Sequence, residues 1–341
     1  MNELVAALPP TETSAQKRKA TAAAATAQSP KAARRKQAKR TDDPNAPSIE
    51  AVEIIDLVLL RALYAQRDTL ISKKQGQQQK FHNYYTNTIA ANGTRTVRYM
   101  QKLSGEKFGR FSPCNGLSFQ NMDHTWRDTL VRDRTGALLY EQLDMRKAHQ
   151  SILLSVAENS GWETPRLRYY VENSDTVLDM FVFERDKAKT AMLMLLYGGN
   201  ASMASGFELP SFVEAYRVEM KELAQKLYAT HPDLVRRLSG GGGGGTEMSE
   251  QKRVFVFMSR FLQDYEAKCM QSAVEFLVGA GWKIGGLLHD GIMVRRRADV
   301  RLDDAVLARL TTHIFEKCKI RGIELRLKEF GPPLPVDLAQ H

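Results

Sequence analysis

Residues 137–149 read ALLYEQLDMRKAH, and residues 284–296 read IGGLLHDGIMVRR. In the first stretch the turn Asp133-Arg134-Thr135-Gly136 leads into Ala137–Leu143, which reads as a buried strand ending on Asp144. The chain then bends into a helix beginning near Ala148. In the second stretch Ile284–Leu288 is strand-like, His289-Asp290-Gly291 makes the bend, and Ile292–Val294 returns, with the glycine permitting a tight turn. A carboxylate at a strand end is rigidly held and faces solvent. If the two strands are neighbours, Asp144 and Asp290 converge at one edge of a sheet and can bridge two divalent cations about 3.5–4 Å apart. Taken singly, each aspartate reads first as a turn former or a helix cap.

Between these two stretches the hydrophobic pattern turns helical. The period predicts helices over 148–158, 183–197, 208–237 and 249–279, then a last helix and strand after the 284–296 hairpin. On the helix 183–197, Arg185, Lys189, Leu193 and Tyr197 fall at steps of four and share one stripe. An arginine fork and a lysine point charge one turn apart suit the β- and γ-phosphates of a nucleoside triphosphate. Tyr197, followed by Gly198-Gly199, offers an aromatic face where that helix ends. On an isolated helix the same residues would be a solvated basic face over an apolar one (Ala191, Met192, Met194, Leu195). Here the stripe lies between the two carboxylates in sequence.

Upstream, folded structure is expected to begin near Ser48, read as an N-cap, with Glu50 in the first turn and Val52, Ile55, Leu59 and Ala62 at helical spacing. A break at Gln75–Gln79 precedes a second helical stretch running to about Lys102, and the two pair as an antiparallel hairpin of helices. Residues 1–47 carry nine Lys/Arg against four acids, +5 of the chain's +10, and almost no large apolar side chains. Such a segment cannot bury enough surface to offset its ordering entropy and reads as disordered. Its basic clusters fit a nuclear-import signal, a phosphate-binding arm or a solubilising tail equally well. Positive charge on both tail and body favours a polyanionic partner. Gly240–Gly245 reads as a flexible linker.

The 341 residues are 43% hydrophobic and 26% charged, ordinary for a globular chain. No apolar run approaches the roughly 20 residues of a membrane span, and no secretory-signal core is apparent. Cys114, Cys269 and Cys318 form no CxxC pair, so neither a disulfide framework nor a zinc knuckle is expected. An intracellular location follows as the expectation, nuclear if the basic tail acts as an import signal.

Four stretches taken together resemble the family A DNA polymerases. Asp144-Met-Arg-Lys-Ala-His149 is similar to that family's motif A. Arg185-x-x-x-Lys189-x-x-x-Leu193-x-x-x-Tyr197-Gly198 is similar to motif B, and Leu-Leu-His289-Asp290-Gly291 resembles motif C. Gly109-Arg110-Phe-Ser followed by Phe119-Gln120-Asn121 resembles the family's Gly-Arg…Gln-Asn stretch. All four occur in the family's order over roughly residues 105–296. The departures are His149 where motif A carries the sugar-gate Glu, Leu193 where motif B carries Phe or Tyr, and Gly291 where motif C carries a second acid. The related single-subunit RNA polymerases share the His-Asp of motif C but differ at the gate.

The resemblance implies an α+β fold. A polymerase palm would have a small antiparallel sheet with helices, joined by reduced helical fingers and a small helical thumb. In this reading residues 48–104 form the thumb, residues 105–341 the palm, and about 183–280 the fingers. It implies Asp144 and Asp290 as catalytic ligands of two Mg²⁺ ions, with Mn²⁺ able to substitute. Arg185, Lys189, Tyr197 and His149 would bind nucleotide. Arg110, Gln120, Asn121 and His289 would bind primer–template. The partners implied are a DNA primer–template, or RNA in its place, and nucleoside triphosphates. The implied activity is template-directed DNA synthesis by a two-metal mechanism. A single-subunit RNA polymerase or primase with the same site is the neighbouring alternative. A catalytically weak, polymerase-derived nucleic-acid-binding accessory protein is the alternative of another class.

Overall fold

The first described element is not the helix expected at Ser48 but a strand, β1 (Ser48–Ile54), whose side chains alternate between exposed and buried. Ile49, Ala51 and Glu53 point inward while Val52 stays 39% exposed. The stripe Val52, Ile55, Leu59, Ala62 therefore straddles two elements, and the helix starts later, at α1 (Leu57–Ala65). Asp56 caps it, its Oδ1 accepting from the amides of Val58 at 2.8 Å and Leu59 at 3.2 Å. The second helical stretch is cut short in the same way. Helix α2 (Gln77–Ala90) ends at Asn92-Gly93, both at positive φ, and the chain returns as β2 (Thr94–Leu103). Residues 48–104 thus supply two strands as well as two packed helices, so the expectation of an all-helical segment fails. Period-two alternation and an Asn-Gly turn outweigh the helical spacing there.

The remaining elements follow as β3 (Glu106–Pro113), α3 (His124–Leu130), β4 (Tyr140–Arg146), α4 (Ala148–Asn159), α5 (Pro165–Glu172), α6 (Ser174–Asp179) and α7 (Arg185–Leu196). Then come α8 (Ser211–Thr230), α9 (Pro232–Ser239), α10 (Glu250–Gly279), β5 (Ile284–Leu288), β6 (Gly291–Arg295), α11 (Asp304–Cys318) and β7 (Glu324–Lys328). This computed structural model describes residues 47–70, 76–103, 106–114, 116–199, 210–239 and 249–339. The basic tail and the six-glycine run lie outside the described residues. The helix expected over 208–237 is broken at His231-Pro232, because proline lacks the amide a continuing helix needs.

The fold is α+β with two small antiparallel sheets. Strands β1-β2-β3 form one; the other has the order β5-β6-β4-β7. The four-stranded sheet lies between two apolar clusters. Leu143, Met145, Ile292 and Val294 join the larger one with α4, α7, α8 and α10. Tyr140, Leu288 and Met293 join the smaller one with Phe81, Tyr84, Phe119 and Trp126. Alternation across a strand puts odd and even neighbours on opposite faces, so both faces of the central strand β4 are covered.

Candidate active site

Asp144 does not end its strand. Strand β4 runs on to Arg146 because β7, whose pairing with it was not legible, takes its other edge, so Asp144 stands opposite Gly291 on β6 and Arg326 on β7. Asp290 occupies the β5–β6 turn beside Gly291, and its carbonyl accepts from the amide of Met145 at 3.0 Å. The two aspartates, far apart in sequence, thus meet across one ladder. Asp144 is 6% exposed. Its carboxylate pairs with Arg326 at 3.3 Å and Lys328 at 3.7 Å. The Asp290 carboxyl is pushed from 3.8 up to about 6, first by burial and then by the negative charges of Asp144 and Glu266.

Gly291 has a packing reason. A Cβ there would come within 2.7 Å of the Leu143 carbonyl oxygen, closer than side chains tolerate. A glycine is also required at Gly198, where φ is +71° and a Cβ would overlap the Phe255 ring.

Asp144 and Asp290 face a cleft of about 430 Å³ that is also lined by Arg110, His149, Arg185, Lys189, Leu193 and Glu266. Residues 185–193 therefore present their stripe to the same space as the two carboxylates. Arg185 pairs with Asp175 and Asp179, and Lys189 with Asp186 at 2.9 Å. All of these groups are about half exposed or more. His149 is the second residue of α4, two after the left-handed Lys147, and is 5% exposed. The Tyr197 hydroxyl bonds its Nδ1, with the two rings edge to face at 5.7 Å. Burial pushes the Tyr197 hydroxyl well above its ordinary range.

The upstream residues divide. Arg110 reaches the cleft. Gln120 instead donates to the Phe111 carbonyl at 3.1 Å, and Asn121 closes its own loop on Ser118 and Gly116. Neither side chain lines the cleft. His289 is exposed at the turn, with φ of 37°. Partial desolvation of the ring and then the nearby Arg110 cation lower its pKa.

Three charged residues beside the two carboxylates escaped the sequence reading. Glu266, 1% exposed on α10, accepts from Arg110 Nε at 2.6 Å and lies 3.1 Å from His149 Nε2. Burial raises its carboxyl, but His149 and Arg110 more than offset this and hold it below the usual range. Its signal was legible: Leu262, Glu266 and Met270 stand at steps of four on a buried stripe, and an acid among core positions calls for a partner. Arg326 and Lys328 left no such signal, because only strand pairing brings them to Asp144.

Among the described residues, no group of three or more His, Cys, Asp or Glu side chains is placed to hold a metal ion. The donor set nevertheless fits magnesium, which is typically held by one or two carboxylates while water and phosphate oxygens fill the other positions. The raised Asp290 carboxyl marks a concentration of negative charge that a divalent cation would relieve. No described helix is long and apolar enough to cross a membrane.

No known protein-family model matches the chain, and no curated protein sequence does. Among solved structures it is similar to the POL domain of Pol1 from M. smegmatis in complex with DNA primer-template and dNTP, at 14% identity and a TM-score of 0.43. The match covers 81% of this chain and 66% of that one, a likeness that leaves the functional reading to the residues of the cleft.

Proposed function

We propose that the chain is a nucleotidyltransferase that extends a DNA primer on a template by a two-metal mechanism. One observation carries the reading. Asp144 on β4 and Asp290, next to its ladder partner Gly291 on β6, open into the same cleft as Arg185 and Lys189. In this reading the two aspartates hold divalent cations, which when bound activate the attacking oxygen and neutralise the leaving one. Arg185 grips the triphosphate as a fork and Lys189 as a point charge. Their present partners are exposed acids, and such pairs are worth at most about 1 kcal/mol. An incoming triphosphate can displace them. Arg326 and Lys328, each about half exposed, pair with Asp144 in the protein itself and would give way to divalent cations held there. His149, held by the Tyr197 hydroxyl, bounds the space for the sugar, and positive charge on the body of the chain attracts the template backbone.

A nuclease would need the paired acids but not the triphosphate stripe. An RNA polymerase or primase would keep the whole site and differ at His149.

Primer extension with Mg²⁺ or Mn²⁺, comparing deoxy- and ribonucleotides on DNA and RNA templates, tests the proposal. Asp144→Asn and Asp290→Asn should each abolish incorporation while DNA binding persists, because the ions act as a unit. If either variant keeps about a tenth of the wild-type rate, the metal assignment fails. A wild-type protein that binds DNA without extending it would favour the accessory-protein reading.

A further inference from the structure

Glu266 comes from the long helix α10, outside every stretch that suggested the function, yet it holds two groups of the cleft at once. Its Oε2 accepts from Arg110 Nε at 2.6 Å, and its Oε1 lies 3.1 Å from His149 Nε2 and 3.3 Å from Arg110 Nη2. Burying a carboxylate costs several kcal/mol unless its lone pairs are matched by donors. With Glu266 at 1% exposure, those donors are Arg110 and His149.

The charges around the ring favour one placement of the imidazole protons. Arg110 Nη2 also lies 3.5 Å from His149 Nε2, but that is a weak contact beside the 3.1 Å approach of the carboxylate. A bare Nε2 would set its lone pair against a carboxylate oxygen 3.1 Å away, so the charge of Glu266 favours the tautomer with hydrogen on Nε2 over one that accepts from Arg110 Nη2. In the neutral ring Nδ1 is then the acceptor and takes the Tyr197 O–H. Both ring nitrogens are tied, one to α10 and one to the end of α7, and the ring cannot turn without breaking a buried hydrogen bond.

We propose that Glu266 is the positioning residue that fixes the tautomer and orientation of His149, and through it sets the discrimination between deoxy- and ribonucleotides. This rests on the nucleotidyl-transfer reading. A gate excludes a 2′-hydroxyl by occupying its space or by denying it a hydrogen-bond partner, and both depend on where the gating group is held. Glu266 lines the same cleft, but both its oxygens are engaged by Arg110 and His149, so its part in sugar selection is exerted through the ring.

The test uses the full chain with a DNA primer–template and Mn²⁺, measuring kcat and KM for deoxy- and ribonucleotides. Glu266→Gln keeps the shape, and because arginine has no acceptor the amide oxygen stays on Arg110 Nε while the NH₂ turns to His149 Nε2. The neutral ring then flips to the Nδ1–H form, its Nε2 accepting from the amide. The preference for deoxynucleotides should fall roughly tenfold, the lower end for losing a hydrogen bond to a charged group, chiefly through a lower KM for ribonucleotides. Glu266→Asp keeps the charge for Arg110, withdraws it from His149, and should also relax discrimination. His149→Gly should relax it as well, and adding Glu266→Gln to that variant should change nothing further. The imidazole ¹⁵N signals that vanish in His149→Gly should report Nε2–H in the wild type and Nδ1–H in Glu266→Gln. Unchanged discrimination in a folded Gln or Asp variant, or additive loss in the double variant, would overturn the proposal. If wild-type protein incorporates no nucleotide, the functional reading fails and takes sugar selection with it. The ¹⁵N signals would still decide whether Glu266 fixes the ring.

Discussion

Replacing Asp290 with asparagine should stabilise the protein while destroying the proposed activity. In the metal-free protein the Asp290 carboxyl is displaced from 3.8 to about 6, by burial first and then by Asp144 and Glu266. At about 1.4 kcal/mol per pH unit, this corresponds to at most about 3 kcal/mol of strain in the ionised native state. The native state binds the Asp290 proton more tightly than the unfolded chain does. The contribution is therefore most favourable below about pH 4 and is lost as pH rises towards about 6. Asparagine keeps the shape, removes the charge and removes that pH dependence. Urea unfolding of both proteins in EDTA, from pH 4 to pH 7.5, should give a difference that grows to about 2–3 kcal/mol in favour of Asp290→Asn and levels off above pH 6. Mn²⁺ should then act in the opposite sense. At a hundredfold excess over Kd it should stabilise wild type by about 2.7 kcal/mol and leave the variant unmoved. A variant equal to or weaker than wild type at pH 7.5 in EDTA would refute the argument, because Asp290 would then feel no crowding from its neighbours.

Gly291→Asp, which restores an acid at that position, should destabilise by about 1–3 kcal/mol and not improve turnover, since its Cβ must push against the Leu143 carbonyl 2.7 Å away; thermal unfolding beside primer extension decides this. Arg185→Ala and Lys189→Ala should each raise the KM for nucleotide. The double variant should lose less than the sum, because the two cations serve one charge cluster; unchanged KM in both would make the stripe a solvated face. Deleting residues 1–40 removes all nine tail cations, so DNA affinity should fall and its salt dependence become shallower with chemistry preserved. Equal salt slopes would assign the tail another role.

Local order was legible in the sequence where it decides conformation. The hairpin around Asp290 needs only two apolar runs and a glycine turn, and the helices 148–159, 185–196 and 250–279 announce themselves by period and flanking residues. The stripe of Arg185, Lys189 and Leu193 was equally readable, because a helix fixes the relative directions of residues four apart. Tertiary structure decided what local spacing leaves open. Ser48–Ile54 and Thr94–Leu103 became strands because each could pair with the other; the period-two alternation of Ser48–Ile54 is a local mark, but a partner forty residues away is not. Strand β7 carried Arg326 and Lys328 onto Asp144 for the same reason. The buried acid Glu266 was visible as an anomaly on its helix. Its partners, Arg110 from one sheet and His149 from the helix after the other, were chosen only when the elements packed, because a buried charge must find its donors in space rather than along the chain.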